Sequence, residues 1–94
     1  MASKTRPLLL LPDAEEDLKG IQDPVFSEVV AKLRLLKRFP YLGSPLLGPF
    51  TGWRHLPVRM FRIIYRVVPR GVEVAYVRHC KRRMPSLARS EESH

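Results

Sequence analysis

Ten side chains in the C-terminal half could work on a phosphodiester: Arg54, His55, Arg59, Arg62, Arg66, Arg78, His79, Lys81, Arg82 and Arg83. Guanidinium is the side chain best shaped for bidentate phosphate contacts. Imidazole is the usual group for moving a proton near neutral pH, which makes His55 and His79 the candidates for that step. Residues 53–89 hold ten basic side chains, nine of them Arg, against Glu73 as the one acid. Paired carboxylates at metal-site spacing are therefore missing from this half, and metal-dependent nuclease chemistry is disfavoured. RNA can be cut without a metal. A base takes the ribose 2′-OH proton, the oxygen attacks the adjacent phosphorus, and fixed cations stabilise the charge that develops. Trp53, Tyr65 and Tyr76 could stack on bases or pack in the core. No phosphate-binding glycine loop, dinucleotide fingerprint, zinc helix or nucleophile elbow occurs, so no metal and no cofactor is expected. Cys80 has no Cys-His-Asn pattern around it and reads as a structural thiol.

These residues need a scaffold. The chain has 94 residues, 45% apolar and 28% charged, with a formal net charge of +8. That is a globular composition for one domain. The charge is segregated: residues 1–52 carry seven basic and six acidic groups, so nearly all the excess lies beyond them. A single-sign half on a small domain suits a polyanion or an acidic partner. The longest apolar run, Leu8 to Leu11, is far too short to span a membrane, and the N-terminus lacks signal-peptide features. A lone cysteine fits a reducing cytoplasm.

Pro7 to Leu11 is apolar on both faces and predicts a strand interior to a sheet. A short helix follows, Ala14 to Ile21, with Asp13 as its N-cap. Asp23-Pro24 opens a second helix, in which Val25, Phe26, Val29, Val30, Leu33, Leu36 and Phe39 recur at helical spacing until Pro40 stops it. Tyr41 to Gly52 reads as a loop. Three strands follow: Trp53 to Val58, weakened by Pro57, then Phe61 to Val68, then Val72 to Val77. In the last, Val72, Val74 and Tyr76 should share one face. Residues 1–6 and 87–94 read as flexible tails. The expected fold is α+β: an N-terminal strand, an antiparallel helical hairpin, and a three-stranded antiparallel meander. The helices pack on one face of the resulting four-stranded sheet.

In this order and spacing the segments resemble the RelE/ParE superfamily of type II toxin–antitoxin toxins. The resemblance rests on Leu8-Leu-Leu-Leu-Pro-Asp-Ala-Glu-Glu-Asp-Leu18, Leu33-Arg-Leu-Leu-Lys-Arg-Phe-Pro40, Leu47-Gly-Pro-Phe-Thr-Gly-Trp-Arg54 and, above all, Val58-Arg-Met-Phe-Arg-Ile-Ile-Tyr-Arg66. The last is similar to the family pattern R-x-G-x-Y-R-I-x-Y. The resemblance implies a cytoplasmic plasmid-stabilization type of toxin held inactive by a cognate antitoxin. One branch cleaves mRNA on the ribosome and so inhibits translation; the other inhibits DNA gyrase without being an enzyme. For the nuclease branch it implies that Arg62 and Arg82 contact the scissile phosphate, with Lys81 or Arg83 as one-residue alternatives to Arg82. His55 falls where the nucleases carry a lysine, and Pro57 where they carry another. Their C-terminal tyrosine falls near Ser86, which leaves the general acid unassigned. The first expectation is a metal-independent mRNA endoribonuclease. In it Arg62, Arg82 and His55 are catalytic, and Arg54, Arg59, Arg66, Arg78, His79, Lys81 and Arg83 bind RNA. The alternatives are a gyrase inhibitor and a nucleic-acid-binding module without toxicity.

Overall fold

A computed structural model describes residues 5–81 of the chain. Its elements are β1 (Leu8–Leu10), α1 (Pro12–Lys19), α2 (Val25–Arg38), β2 (Ser44–Pro45), β3 (Arg54–Val58), β4 (Phe61–Val68) and β5 (Gly71–His79), with a 3-10 turn at Gly48–Phe50. The strands form one sheet in the order β1-β5-β4-β3-β2. β1 runs parallel to β5, and every other pairing is antiparallel. The sheet thus has five strands, the expected four plus the two-residue β2 inside the expected loop.

α1 starts one residue before Asp13. Pro12 has a φ already suited to a first helical turn, so Leu11 takes the cap position and Asp13 with Glu15 lies in the first turn, facing the positive end of the dipole. α2 starts at Val25 with Pro24 in the cap position, one residue later than a cap at Asp23 would place it, although the Asp23 side chain still braces the first turn. Asp23 Oδ1 accepts from the Ser27 backbone N–H at 2.9 Å and from its hydroxyl at 2.7 Å. Val29, Leu33 and Leu36 form the buried stripe, while Phe26 and Phe39 at the helix ends are exposed. The core joins this stripe and Ala14 and Ile21 to Leu56, Val58, Ile63, Tyr65, Val72, Val74 and Val77 on one face of the sheet.

Two strand readings are corrected. β1 is an edge strand, not an interior one: Leu9 is exposed while Leu8 and Leu10 pack against the core, so two-sided apolarity did not mean two-sided burial. In β5, Ile64 pairs with Tyr76 but Tyr65 pairs with Val74, which leaves Ala75 as a bulge. The extra residue reverses the alternation. Val72, Val74 and Val77 face the core, and Tyr76 joins the opposite face. Among the expected tail residues, Arg6 is anchored, its N–H donating to the Lys37 carbonyl at 2.8 Å. Residues 1–4 and 87–94 lie outside the described residues.

The β3–β4 hairpin turns at Arg59, which holds φ at +56°. When the motif is aligned on Arg62 and Tyr65, glycine stands at this position, the residue that tolerates positive φ without strain. Here the Arg59 side chain reaches α2 and makes two bonds to Glu28, at 2.6 and 2.8 Å. Hydrogen bonding from Arg59 is the main cause that holds the Glu28 carboxyl below its ordinary pKa. An exposed ion pair is weak, whereas left-handed strain is intrinsic to the backbone. Arg59→Gly should therefore raise the thermal midpoint by a few degrees. Glu28 supports the fold only above its ordinary pKa, and loses that role as pH falls through the lowered value. The variant's advantage should accordingly be largest in acid. A melting series against pH, with no gain at any pH, would contradict this.

Candidate functional site

The helices cover one face of the sheet and leave the other for polar side chains. Residues directly opposite one another in adjacent strands share a face. Register therefore sorts the ten candidates. Pro57, Arg62 and Arg78 form one row across β3, β4 and β5, and His55, Ile64 and Tyr76 form the next. Arg66 and Glu73 continue the series on β4 and β5, with Trp53 ahead of β3 stacked under Arg66. His55, Arg62, Arg66 and Arg78 consequently stand together on this outer face, around the buried Ile64.

Three expected members do not join them. Arg54 pairs with Tyr65 on the core side. Its guanidinium donates to the Gly43 carbonyl at 2.7 and 3.1 Å and to the Tyr41 carbonyl at 3.3 Å, bracing the loop before β3. Arg59 is turned to the helix layer by Glu28. His79 pairs with Phe61 on the core side, edge-on to its ring at 5.3 Å, and its Nδ1 accepts from the Lys81 backbone N–H at 3.1 Å. Lys81 is exposed just past β5. Arg82 and Arg83 lie outside the described residues, so the expected pairing of Arg62 with Arg82 is beyond them.

On the outer face, Arg62 and Arg78 are direct cross-strand neighbours. Two like charges so placed repel. Asp17 on α1 offsets one of them: its Oδ2 accepts from Arg78 Nε and from the Val77 backbone N–H, both at 3.0 Å. The Val77 contact also satisfies the edge of β5 beyond the short β1. Arg78 then lies over the Tyr76 ring, 4.6 Å from its centroid. Burial first, and the Asp13 carboxylate next, push the Tyr76 phenol above its ordinary pKa, so it remains protonated at neutral pH. Arg78 is thus a neutralised cation. Arg66 is neutralised similarly by Glu73.

Arg62 has no such partner among the described residues. Its Nε is buried and makes no hydrogen bond, and the same holds for His55 Nδ1. Diagonal neighbours in a sheet of this kind are about 7–8 Å apart at the backbone, within reach of an arginine side chain. Buried polar atoms without partners are costly, and two on one face single out His55 and Arg62 as side chains that the fold itself does not satisfy. The guanidinium group of Arg62 can donate to a phosphate oxygen, and an imidazole can exchange a proton beside it. A groove of ≈ 630 Å³ lies elsewhere, on the helix side, among Leu10, Leu18, Ile21 and Phe26, with Glu15, Lys19 and Asp23 at its walls.

Leu56 and Val58 face the core, so strand parity alone assigns Arg54 to the core side. No comparable signal marks Asp17, whose partners are sixty residues away.

No described helix is long and apolar enough to cross a membrane. No curated protein matches the chain. Among solved structures, the chain is similar to one from the RelBE2 toxin–antitoxin complex of Mycobacterium tuberculosis, with 21% identity, a TM-score of 0.70, and coverage of 80% of this chain and 98% of that one. It is similar also to one from the chromosomal ParDE toxin–antitoxin system of P. aeruginosa (18% identity, TM-score 0.67, coverage 82% and 98%). A third is from the YoeB–YefM complex of Staphylococcus aureus (19% identity, TM-score 0.67, coverage 79% and 95%). At these identities the likeness is one of fold. The family model described as ParE toxin of type II toxin-antitoxin system, parDE, matches residues 8–84. The chain therefore belongs to the ParE toxin family of type II toxin–antitoxin systems.

Proposed function

We propose that this toxin is a cytoplasmic, metal-independent mRNA endoribonuclease that acts on the ribosome and is held inactive by a cognate antitoxin. The observation that carries the reading is the pair of buried, unpartnered polar atoms, His55 Nδ1 and Arg62 Nε, on one face of the sheet. In this reading Arg62 holds the scissile phosphate. The His55 imidazole takes the proton from the 2′-OH, the O2′–P bond forms, and the P–O5′ bond breaks. The leaving O5′ takes a proton from the imidazolium or from water. The products are a 2′,3′-cyclic phosphate and a 5′-hydroxyl. Lys81, exposed just past β5, can add to the positive field along the strand.

A second reading, inhibition of gyrase without catalysis, is favoured by a specific observation. Arg54, Arg59, Arg66 and Arg78 are each engaged by carbonyls or carboxylates of the fold, which leaves fewer free cations than the sequence suggests. One pair of assays separates the two. Purified protein added to ribosomes programmed with a defined mRNA should cut within the occupied codon, while gyrase supercoiling at the same concentration is unchanged. Intact mRNA together with blocked supercoiling would replace the first reading with the second.

A further inference from the structure

The outer face carries a second cluster that neither phosphate holding nor proton transfer uses. Trp53 stands two residues before His55, and its ring lies 4.7 Å from Arg66 Cζ. Arg66 in turn donates from Nε to Glu73 Oε1 at 2.9 Å, directly across the β4–β5 ladder. The carboxylate fixes one edge of the guanidinium and the indole fixes one of its planes. The Arg66 side chain remains 44% accessible, and among the described residues its Nη groups have no acceptor.

A guanidinium held flat and half exposed is a stacking surface for a planar ligand, and nucleobases are the planar groups attached to a phosphate backbone. A lysine would satisfy Glu73 as well, but only arginine supplies the plane. The spacing also suits a nucleic acid strand. Arg62 to Arg66 spans about 13 Å along β4, with His55 alongside the midpoint. A strand whose phosphate rests on Arg62 passes the imidazole before its next base reaches Arg66.

We propose that Trp53, Arg66 and Glu73 form a nucleobase platform, on which a base next to the phosphate held by Arg62 stacks against the face of the Arg66 guanidinium opposite Trp53. The proposal rests on the nuclease reading for its ligand class, single-stranded RNA. Stacking tolerates any base but grows with ring area, so purines bind better than pyrimidines.

Trp53 is the one tryptophan of the chain, so the platform contains its own probe. Titration at low salt with a 2′-O-methyl oligoadenylate hexamer, which has no attacking hydroxyl, should quench Trp53 fluorescence saturably. Anisotropy of the labelled hexamer should show Arg66→Lys weakening binding by about 5- to 150-fold, although it conserves charge. Arg70→Ala, which removes a charge from the β4–β5 turn, should change binding by less than about 2-fold. A flat tryptophan signal, or an Arg66→Lys protein that binds like wild type, overturns the platform. If mRNA is still cut in that case, the nuclease reading stands without it. Quenching in a protein that cuts no mRNA keeps the platform and removes the nuclease.

Discussion

Arg62→Ala protein should cut programmed-ribosome mRNA about 10²–10³-fold more slowly than wild type, the loss typical of removing one fixed donor from a developing oxyanion. His55→Ala should cost about 10²–10⁴-fold, the usual contribution of a positioned general base. The two side chains are diagonal neighbours on adjacent strands and, in the proposed mechanism, act on one phosphodiester. Their losses should therefore not add. The double variant should be little worse than the more damaging single one, as happens when residues work as a unit. Arg62→Lys separates charge from shape. It retains the cation but loses the planar fork of donors, so it should recover only a minor part of the rate. Neither side chain belongs to the hydrophobic core, and thermal midpoints should stay close to wild type. A variant at either position that cuts within about threefold of wild type would remove that residue from the chemistry.

The segments that sequence placed best are those in which local and tertiary preferences agree. β4 has the predicted bounds, Phe61 to Val68, because its alternation of core and outer residues is unbroken and both neighbours pair along its length. α2 lies within a residue of its reading because Asp23 braces its first turn through Ser27, Pro40 bars its continuation, and Val29, Leu33 and Leu36 lie on one stripe. The misreadings come from interactions across the chain. The bulge at Ala75 depends on how β5 pairs with β4, and nothing in Val72 to Val77 announces it. β2 is two residues long, one of them Pro45, and exists because Ser44 lies opposite His55. The site divides in the same way. The Arg62 motif is legible as a string, but whether a given guanidinium reaches a ligand depends on the carboxylate that folding brings to it. Asp17 takes Arg78, Glu28 takes Arg59 and Glu73 takes Arg66, and all three acids look like ordinary surface charge in the sequence. What sequence describes as a cationic cluster is, among the described residues of the outer face, one arginine without a carboxylate partner beside a histidine, with the neutralised Arg66 and Arg78 around it.

The position of that histidine depends on a buried tyrosine with no direct part in the chemistry, and its variant should show the largest stability effect. Tyr65 is fully buried in β4, opposite Arg54. Its hydroxyl donates to the Pro40 carbonyl at 2.8 Å and accepts from the Gly43 N–H at 2.8 Å. Through these two bonds the loop leaving α2 is tied to the centre of the sheet, one residue before Ser44 pairs with His55. The fit leaves no slack. A Cβ on Gly43 would stand 2.5 Å from the His55 carbonyl oxygen and 2.8 Å from the tyrosine hydroxyl. Tyr65→Phe keeps the ring and its packing but leaves a buried donor and a buried acceptor unpaired. At about 1–3 kcal/mol for each, the loss should be roughly 2–6 kcal/mol, a large part of the 5–15 kcal/mol that holds a typical domain together. Urea unfolding should show the midpoint fall with an unchanged slope. Where the variant is still folded it should cut mRNA within about tenfold of wild type, because Arg62 and His55 themselves are untouched. A midpoint shift equivalent to less than about 0.5 kcal/mol would mean that water satisfies the two loop groups and that the tyrosine is only filler. Full stability with a collapse of activity would instead assign Tyr65 a part in the chemistry, which its burial on the helix side of the sheet argues against.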